Sequence, residues 1–329
     1  MSDAPGTGWQ ETIAPDEAQR HAEAGRRFAA IQQRKSERYG PGRALHRKQL
    51  TAAQGTLQVL GDLPAWAAQG LFSEPGNHEV WVRLSNGGLD KARDSMPDIR
   101  GFAFRVLGVQ GDSALGNGPA KSQDFTLINQ EAFAFKGSAE FVDFVEAASW
   151  GNGSLLKYIV KRYGVFGLPA QLAKLARMAG KPFTGFATEK MFSAVPMANG
   201  PYAARVRLVP HEANGQPTPG ANKDWNADFS ARLARQALSW DLQLQPWVSE
   251  AVTPIEDASV NWPTPHVTVA RLTLPTQDTA GVDGQSLAQR VEATVIDPWQ
   301  ALAAHRPLGD VQRARKVVYF ESQKGRGAA

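Results

Sequence analysis

The sequence predicts an α+β protein built on an antiparallel β-sheet or barrel, with an N-terminal helix, inserted helices and a C-terminal helix. Two observations predict this class. Segments rich in β-branched and aromatic residues recur through the chain and are separated by glycine-rich turns. Helical periodicity is confined to the N-terminal region, one stretch in the middle and the tail. Runs of strands interrupted by a block of helices are typical of an α+β design.

The elements follow in order from these patterns. Residues 1–15 look like a flexible arm, and Pro15-Asp16 opens an amphipathic helix that extends to about Tyr39. The sequence therefore divides into an arm with a helix (1–40) and one barrel domain (41–329). Strands are expected at 46–60, 79–86, 100–109, 122–130, 200–210, 239–248 and 266–275, and helices at 137–150, 154–164, 168–180 and in the tail.

Composition excludes several functional classes. The chain has 329 residues and no cysteine, which excludes disulfides, iron–sulfur clusters, thiolate-ligated haem or zinc and covalent c-type haem. The net charge is only +4 and the arginines are scattered, so nucleic acid is not an expected partner. No apolar run approaches 18 residues and no signal peptide is visible, so a cytoplasmic protein without a membrane span is expected.

The tail carries an unusual set of side chains. Arg315, Tyr319 and Arg326 follow one another at spacings of four and seven, which places them on one face of a helix. A phenol between two guanidinium groups makes sense if a phenolate must form beside an anionic ligand, because nearby cations or a bound metal favour the charged form. An oxygen ligand to ferric haem would use all three residues. Taken alone, the same pattern fits a basic amphipathic helix with an exposed tyrosine.

Three polar groups further upstream are candidates for chemistry. His46 is the kind of side chain that transfers protons near neutral pH, although a histidine beside an arginine is commonly structural. Arg83 and Ser85 alternate along a strand and therefore face the same side, where Ser85 could hold an imidazole in one tautomer or simply end the strand. Asn129 could hydrogen-bond a peroxide oxygen or terminate its strand.

The order and spacing of these groups carry more information than any one of them. The chain reads Arg-x-x-His, Arg-x-Ser, Asp-x-Arg-Gly-Phe-Ala, Asp-x4-Asn and Arg-x3-Tyr-x6-Arg between Arg43 and Arg326. This series resembles the haem catalase superfamily. The phrases in 260–275 and 296–319 are most similar to those of the short bacterial catalase-related haem peroxidases.

The resemblance implies a role for each matching position. His46 and Asn129 match the distal pair, and Ser85 matches the serine that holds the histidine. Tyr319 matches the proximal iron ligand, a role known for tyrosine in catalase, and Arg315 matches the arginine that keeps it ionised. The remaining matches would bind haem b: Arg43, Arg83 and Arg326 at the propionates, and Phe133 with Phe141 or Phe144 on the haem face.

The resemblance also implies a function. We expect a haem-dependent peroxidase of oxidative stress response that reduces hydrogen peroxide or organic hydroperoxides through an oxyferryl intermediate, using an unidentified electron donor. The alternatives are a true catalase, a hydroperoxide-rearranging enzyme and a haem-binding barrel without turnover. Leu45 and the stretch 130–135 depart from the catalase pattern, and the chain is short. An accessible haem edge, no NADPH site and a homodimer are therefore expected.

Overall fold

A closed antiparallel β-barrel forms the centre of this computed structural model, which describes residues 4–179 and 182–328. Its strands run in the order β5-β4-β3-β2-β1-β9-β8-β7, and pairing of β5 with β7 closes the barrel, while β6 extends from β7. The strands are β1 (Gln49–Val59), β2 (Gly76–Asn86), β3 (Arg100–Val106), β4 (Gln123–Ile128), β5 (Met191–Phe192), β6 (Met197–Asn199), β7 (Tyr202–Pro210), β8 (Leu238–Pro246) and β9 (Val267–Leu274).

The barrel interior is filled by large apolar side chains. Along β2, Val80, Val82 and Leu84 are fully buried and belong to the central core. Phe102 of β3 meets Trp240 of β8 edge-on, with ring centroids 5.4 Å apart. Because side chains alternate along a strand, the residues between these positions point to the outer face of the barrel. The outer face is therefore where helices can cover polar groups.

In the described ranges 4–179 and 182–328, six helices cover the barrel or flank it. They are α1 (Glu17–Tyr39), α2 (Ser138–Ser149), α3 (Asn152–Ala179), α4 (Trp225–Leu233), α5 (Val282–Ala293) and α6 (Asp310–Lys324). Helix α1 packs on α6, and α5 packs on the outer face of β1 and β2. No helix in the described part of the chain combines the length and the apolar character that a bilayer crossing requires.

The fold confirms the predicted class and most predicted elements. All seven expected strands exist, each within a few residues of its predicted bounds. The two helices expected at 154–164 and 168–180 form α3, which is interrupted at Gly164, and residue 180 lies outside the described residues. The sequence patterns missed α4 and α5, which are short and have mixed polarity, and the short strands β5 and β6.

The expectation of a loose N-terminal arm is wrong for 6–12. The amide of Gly6 donates to the carbonyl oxygen of Trp247 at 3.0 Å. The indole of Trp9 donates to the carbonyl oxygen of Pro201 at 3.0 Å. Glu11 forms ion pairs with Arg306 and Arg313 at 2.7 and 2.6 Å. These contacts pair residues far apart in sequence, so local composition gave no sign of them.

We predict that Gly55→Ala destabilises the barrel. A Cβ atom at Gly55 would lie 2.2 Å from the carbonyl oxygen of Thr273, where β1 meets β9. Backbone atoms cannot yield as a flexible side chain does, so we expect a loss of about 1–3 kcal/mol of unfolding free energy. Chemical denaturation measures this loss. Gly76→Ala, where no atom lies within 4 Å, is the matched control, and equal stability of the two variants would contradict the prediction.

Candidate functional site

A cavity lies against the outer face of β2, β3 and β4. The strand register brings Arg83, Ala103 and Thr126 into one row across these strands, and all three line the cavity. Ser85 lines it from the same side of β2 as Arg83, as the period of two predicts. Helices α2 and α6 supply much of the remaining wall.

Apolar surface makes up most of the cavity wall, although polar and charged side chains also line it. The cavity has a volume of about 200 Å³ and opens to solvent. The larger apolar side chains of the wall are Phe28, Leu45, Leu127, Ile128, Phe133, Phe141, Val142, Val195, Ile296, Val311 and Val318. The wall therefore suits a mostly apolar ligand.

His46 projects into this cavity from the segment before β1. Its backbone φ is +50°, an uncommon value for a side-chain-bearing residue, and its amide donates to the carbonyl oxygen of Gly87 at 3.0 Å. The imidazole Nδ1 lies 3.0 Å from Oγ of Ser85, and either atom can be the donor in that pair, depending on the tautomer. The hydrogen bond holds the ring and commits Nδ1, so Nε2 is the nitrogen left for chemistry.

Gly101 makes room for the His46–Ser85 pair. A Cβ atom at Gly101 would lie 2.5 Å from Nδ1 of His46 and 2.7 Å from Oγ of Ser85. Contacts that short do not occur for real Cβ atoms, so any other residue would displace the imidazole. The sequence motif Asp-x-Arg-Gly-Phe-Ala contains this glycine. The pairing of β2 with β3 shows why a glycine is required there, because it brings Gly101 next to Ser85.

The pKa of His46 lies far below the ordinary value. Burial, followed by the positive charges of Arg83, Arg315 and Arg43, lowers it from 6.5 to about 3. The imidazole is therefore neutral at pH 7 and can accept a proton.

Arg315 and Tyr319 form a second pair on α6. One terminal nitrogen of Arg315 donates to the phenolic oxygen of Tyr319 at 2.7 Å and to Oγ1 of Thr126 at 2.8 Å. Arginine has no acceptor, so the tyrosine oxygen accepts in this contact. The other terminal nitrogen of Arg315 donates to Oε1 of Gln312 at 3.1 Å, which fixes the guanidinium.

Arg326 lines the cavity but does not belong to the helix predicted to carry it. Helix α6 ends at Lys324 and Gly325 caps it, so only Arg315 and Tyr319 share a helical face. Arg326 is held by donating to the carbonyl oxygens of Glu292 and Thr294, each at 3.0 Å. The prediction of one continuous helical face is therefore wrong at its end, although the three side chains still meet at one cavity.

Glu292 at the end of α5 lies among three arginines, and sequence reasoning missed it. Its carboxylate pairs with Arg43 at 2.6 Å and with Arg83 at 2.9 Å. Burial, followed by the charge of Arg43, lowers the pKa of Arg83 and of Arg326 to about 10, so both stay charged at pH 7. Since α5 was not predicted, no signal placed a carboxylate here.

The other predicted residues fall into two groups. Phe133 and Phe141 line the cavity, with ring centroids 4.9 Å apart. Phe144 packs against Phe135 instead, with centroids 5.1 Å apart. Asn129 is buried and is not among the residues that line the cavity; its side-chain oxygen accepts from the backbone amide of Arg100 at 2.8 Å. The structure therefore brings the predicted site residues together at the cavity except for Asn129, and of the two alternatives Phe141 and Phe144 only Phe141 lines it.

A cluster of Glu17, His21 and Asp310 lies outside the cavity and joins α1 to α6. Nε2 of His21 lies 2.9 Å from Asp310, while Glu17 pairs with Arg313 at 2.6 Å. Asp310 also accepts from the backbone amide of Ser138 at 2.6 Å. Because both carboxylates already serve these partners, we interpret the cluster as a structural connection between helices.

Comparison with known proteins identifies the fold. Neither a protein-family model nor a curated protein sequence matches the chain. A solved fungal catalase is 17% identical with a TM-score of 0.65, over 87% of this chain and 58% of the catalase. A bacterial catalase is 14% identical with a TM-score of 0.64, over 98% of this chain and 63% of the catalase. The chain has the catalase fold.

This catalase-fold chain spans only about three fifths of the length of those two catalases. The fold expected from the ordered motifs is confirmed. At these identities the likeness concerns the fold alone, so the roles of individual residues depend on the geometry of the cavity.

We predict that His46 in this catalase-fold protein stays neutral well into the acid range. Its folded pKa of about 3 lies below the ordinary 6.5, so between these values the unfolded chain binds more protons and stability falls as the pH drops. Imidazole ¹⁵N resonances should remain those of the neutral ring from pH 6.5 down to about 3. Replacement by glutamine should reduce the acid-induced loss of unfolding free energy.

His305 provides the comparison for this prediction. It is buried outside the cavity, and burial lowers its pKa to about 4. His305→Gln should also reduce the acid-induced loss, yet leave the His46 resonances unchanged. Protonation of His46 near its ordinary pKa would contradict the description of the cavity.

Proposed function

We propose that this protein is a haem-dependent peroxidase that reduces hydrogen peroxide or organic hydroperoxides. The observation that carries the proposal is the meeting of two pairs at one cavity, His46 with Ser85 and Arg315 with Tyr319. A neutral base and a phenol that accepts from a guanidinium are the groups needed near a ferric centre. The catalase fold supports the same assignment.

The residues of the cavity fit haem b. Tyr319 would supply the oxygen ligand to iron, and Arg43, Arg83 and Arg326 would bind the propionates. The guanidinium groups of Arg43, Arg83 and Arg326 all line the cavity, and the carboxylate of Glu292 pairs with the first two. A ligand carboxylate would balance more of this positive charge. When bound, the haem would supply the redox centre that accepts electrons from the donor.

Other residues of the cavity would transfer the proton and hold the reacting groups in position. Neutral His46 would accept the proton from one oxygen of the hydroperoxide and return it to the other, so that water or an alcohol can leave. Ser85 would fix the ring that carries this proton. Arg315 would donate to the tyrosine oxygen and so hold it in position as a ligand. A peroxide-positioning role for Asn129 stays a prediction.

The character of the wall favours organic hydroperoxides over hydrogen peroxide alone. Apolar surface dominates the cavity wall. Where bound haem would leave that wall uncovered, an apolar substrate would gain free energy from contact with it, whereas hydrogen peroxide would not. A true catalase remains the second candidate because solved catalases share the fold. A true catalase would release oxygen from hydrogen peroxide without an added electron donor, whereas a peroxidase would need the donor. A haem carrier would turn over neither hydrogen peroxide nor an organic hydroperoxide.

The first test is an optical spectrum of the purified protein, before and after addition of hydroperoxide. A ferric haem spectrum with an anionic oxygen ligand that changes with peroxide and returns with a reductant is the expected result. A protein that stays colourless after reconstitution with haemin would refute the proposal.

We predict that Tyr319→Phe alters haem binding. Loss of the phenolic oxygen removes the proposed iron ligand, so haem retention should fall or the ferric spectrum should change. Titration with haemin, followed by the absorption spectrum, measures both. Tyr202→Phe is the control, because Tyr202 begins β7 and does not line the cavity. A fully loaded Tyr319→Phe protein with the wild-type spectrum would exclude Tyr319 as the ligand.

We predict that His46→Ala keeps haem and loses turnover. Removal of a general acid–base group costs about a hundredfold to ten-thousandfold in rate, and stopped-flow reaction with peroxide measures it. His211→Ala is the control, because His211 pairs with Asp241 at 2.9 Å away from the cavity. Wild-type rates in the His46 variant would remove this residue from the mechanism.

A further inference from the structure

Helix α3 presents an apolar stripe to solvent. Its second half exposes side chains at spacings of four, three and four, which lie on one helical face. They are Val165, Pro169, Leu172 and Ala176. Such a stripe normally faces the protein core, but here the core lies elsewhere. The face therefore needs another apolar environment.

The most exposed apolar side chains lie at the bend of α3. Gly164 has a backbone φ of +72°, a left-handed conformation that interrupts the helix. Directly after it, Val165 is 67% exposed and Phe166 is fully exposed. An aromatic side chain at a protruding bend can enter an apolar phase without movement of the rest of the molecule.

The same helix is strongly basic. Between Asn152 and Ala179 the sequence contains five lysines and arginines and no acidic residue, although the whole chain carries only +4. Lys157 and Lys161 are exposed on the first half of α3, before the interruption at Gly164, and the exposed apolar side chains follow it. Basic residues next to exposed apolar side chains favour binding to anionic membranes.

We propose that α3 docks the protein on an anionic lipid surface, with Val165 and Phe166 entering the acyl-chain boundary. A second copy of the chain is the poorer occupant, because a symmetric contact would place one basic helix against another. A membrane crossing is not implied, since no described helix is suited to one. The bend after Gly164, rather than one straight helix, would enter the interface.

The position of α3 connects this surface with the cavity. Ile159 of α3 is buried, and Tyr163 donates a short hydrogen bond to Glu140 of α2. The next residues of α2, Phe141 and Val142, line the cavity. Docking would therefore bring the bilayer close to the helix that forms one wall of the site. On the basis of the proposed function, fatty acyl hydroperoxides from the membrane become the substrate class.

Vesicle flotation with the full-length protein tests the docking directly. We expect binding to vesicles of phosphatidylcholine with phosphatidylglycerol and weaker binding to phosphatidylcholine alone. Val165→Ser with Phe166→Ser should lower the partition coefficient roughly tenfold or more, since each large apolar side chain gains free energy on burial. Lys157→Gln with Lys161→Gln should lower it about fivefold for each charge removed.

Matched controls separate the surface from general effects. Val282→Ser removes an 87% exposed apolar side chain from α5, and Lys121→Gln with Lys223→Gln removes two exposed charges outside α3. These variants should float as the wild type does. Equal binding of the α3 variants and the wild type, or no vesicle binding at all, would overturn the proposal. Self-association that depends on Val165 and Phe166 without vesicle binding would also overturn it in favour of a second copy.

The outcome is independent of the peroxidase assignment. Flotation needs no haem and is measured with and without haemin. Turnover of hydrogen peroxide in solution should be unchanged by Val165→Ser with Phe166→Ser, because neither residue lines the cavity. Docking without turnover would refute the proposed function alone, and turnover without docking would refute this inference alone.

Discussion

Side-chain alternation along β2, combined with its register to β3 and β4, is the constraint on which the site depends. Val82 and Leu84 fill the barrel, so Arg83 and Ser85 must face outward, where the register aligns them with the small residues Ala103 and Gly101. If β2 slipped by one residue, its inward-facing and outward-facing side chains would change places. The guanidinium of Arg83 would then be buried in the apolar core, and the cavity would be lost. The hydrophobic core and the polar site are thus two faces of the same strands.

Positive charge gathered on that outer face sets the chemistry available there. Arg43, Arg83 and Arg315 all disfavour protonation of His46, which leaves a neutral base in a cationic cavity. The same cations favour any anion that enters, whether carboxylate or phenolate. Glu292 supplies one negative charge between Arg43 and Arg83 and so offsets part of their mutual repulsion. A cavity of this kind combines an unprotonated imidazole with positive charge that favours an anionic ligand.

The helical layer closes the site and connects it to the surface. Helix α6 brings Arg315 and Tyr319, and its packing on α1 and the Asp310–His21 contact fix its position. Helix α2 brings Phe141, and its other side carries α3 with the exposed apolar face. One layer of helices therefore holds the candidate iron ligand, part of the apolar wall and the basic surface that we propose to meet lipid.

Local periodicity by itself determined the seven longer strands, the helices α1, α2, α3 and α6, the shared face of Arg83 and Ser85, and the four-residue spacing of Arg315 and Tyr319. These features depend on neighbours within a few residues, which the sequence shows directly. Only the tertiary structure determined the position of the Glu292 carboxylate among the arginines and the space that Gly101 leaves for His46 and Ser85. It also determined that the Asn129 side chain accepts from a backbone amide. Each depends on contacts between residues far apart in sequence, and no local pattern encodes which strand or helix will lie opposite.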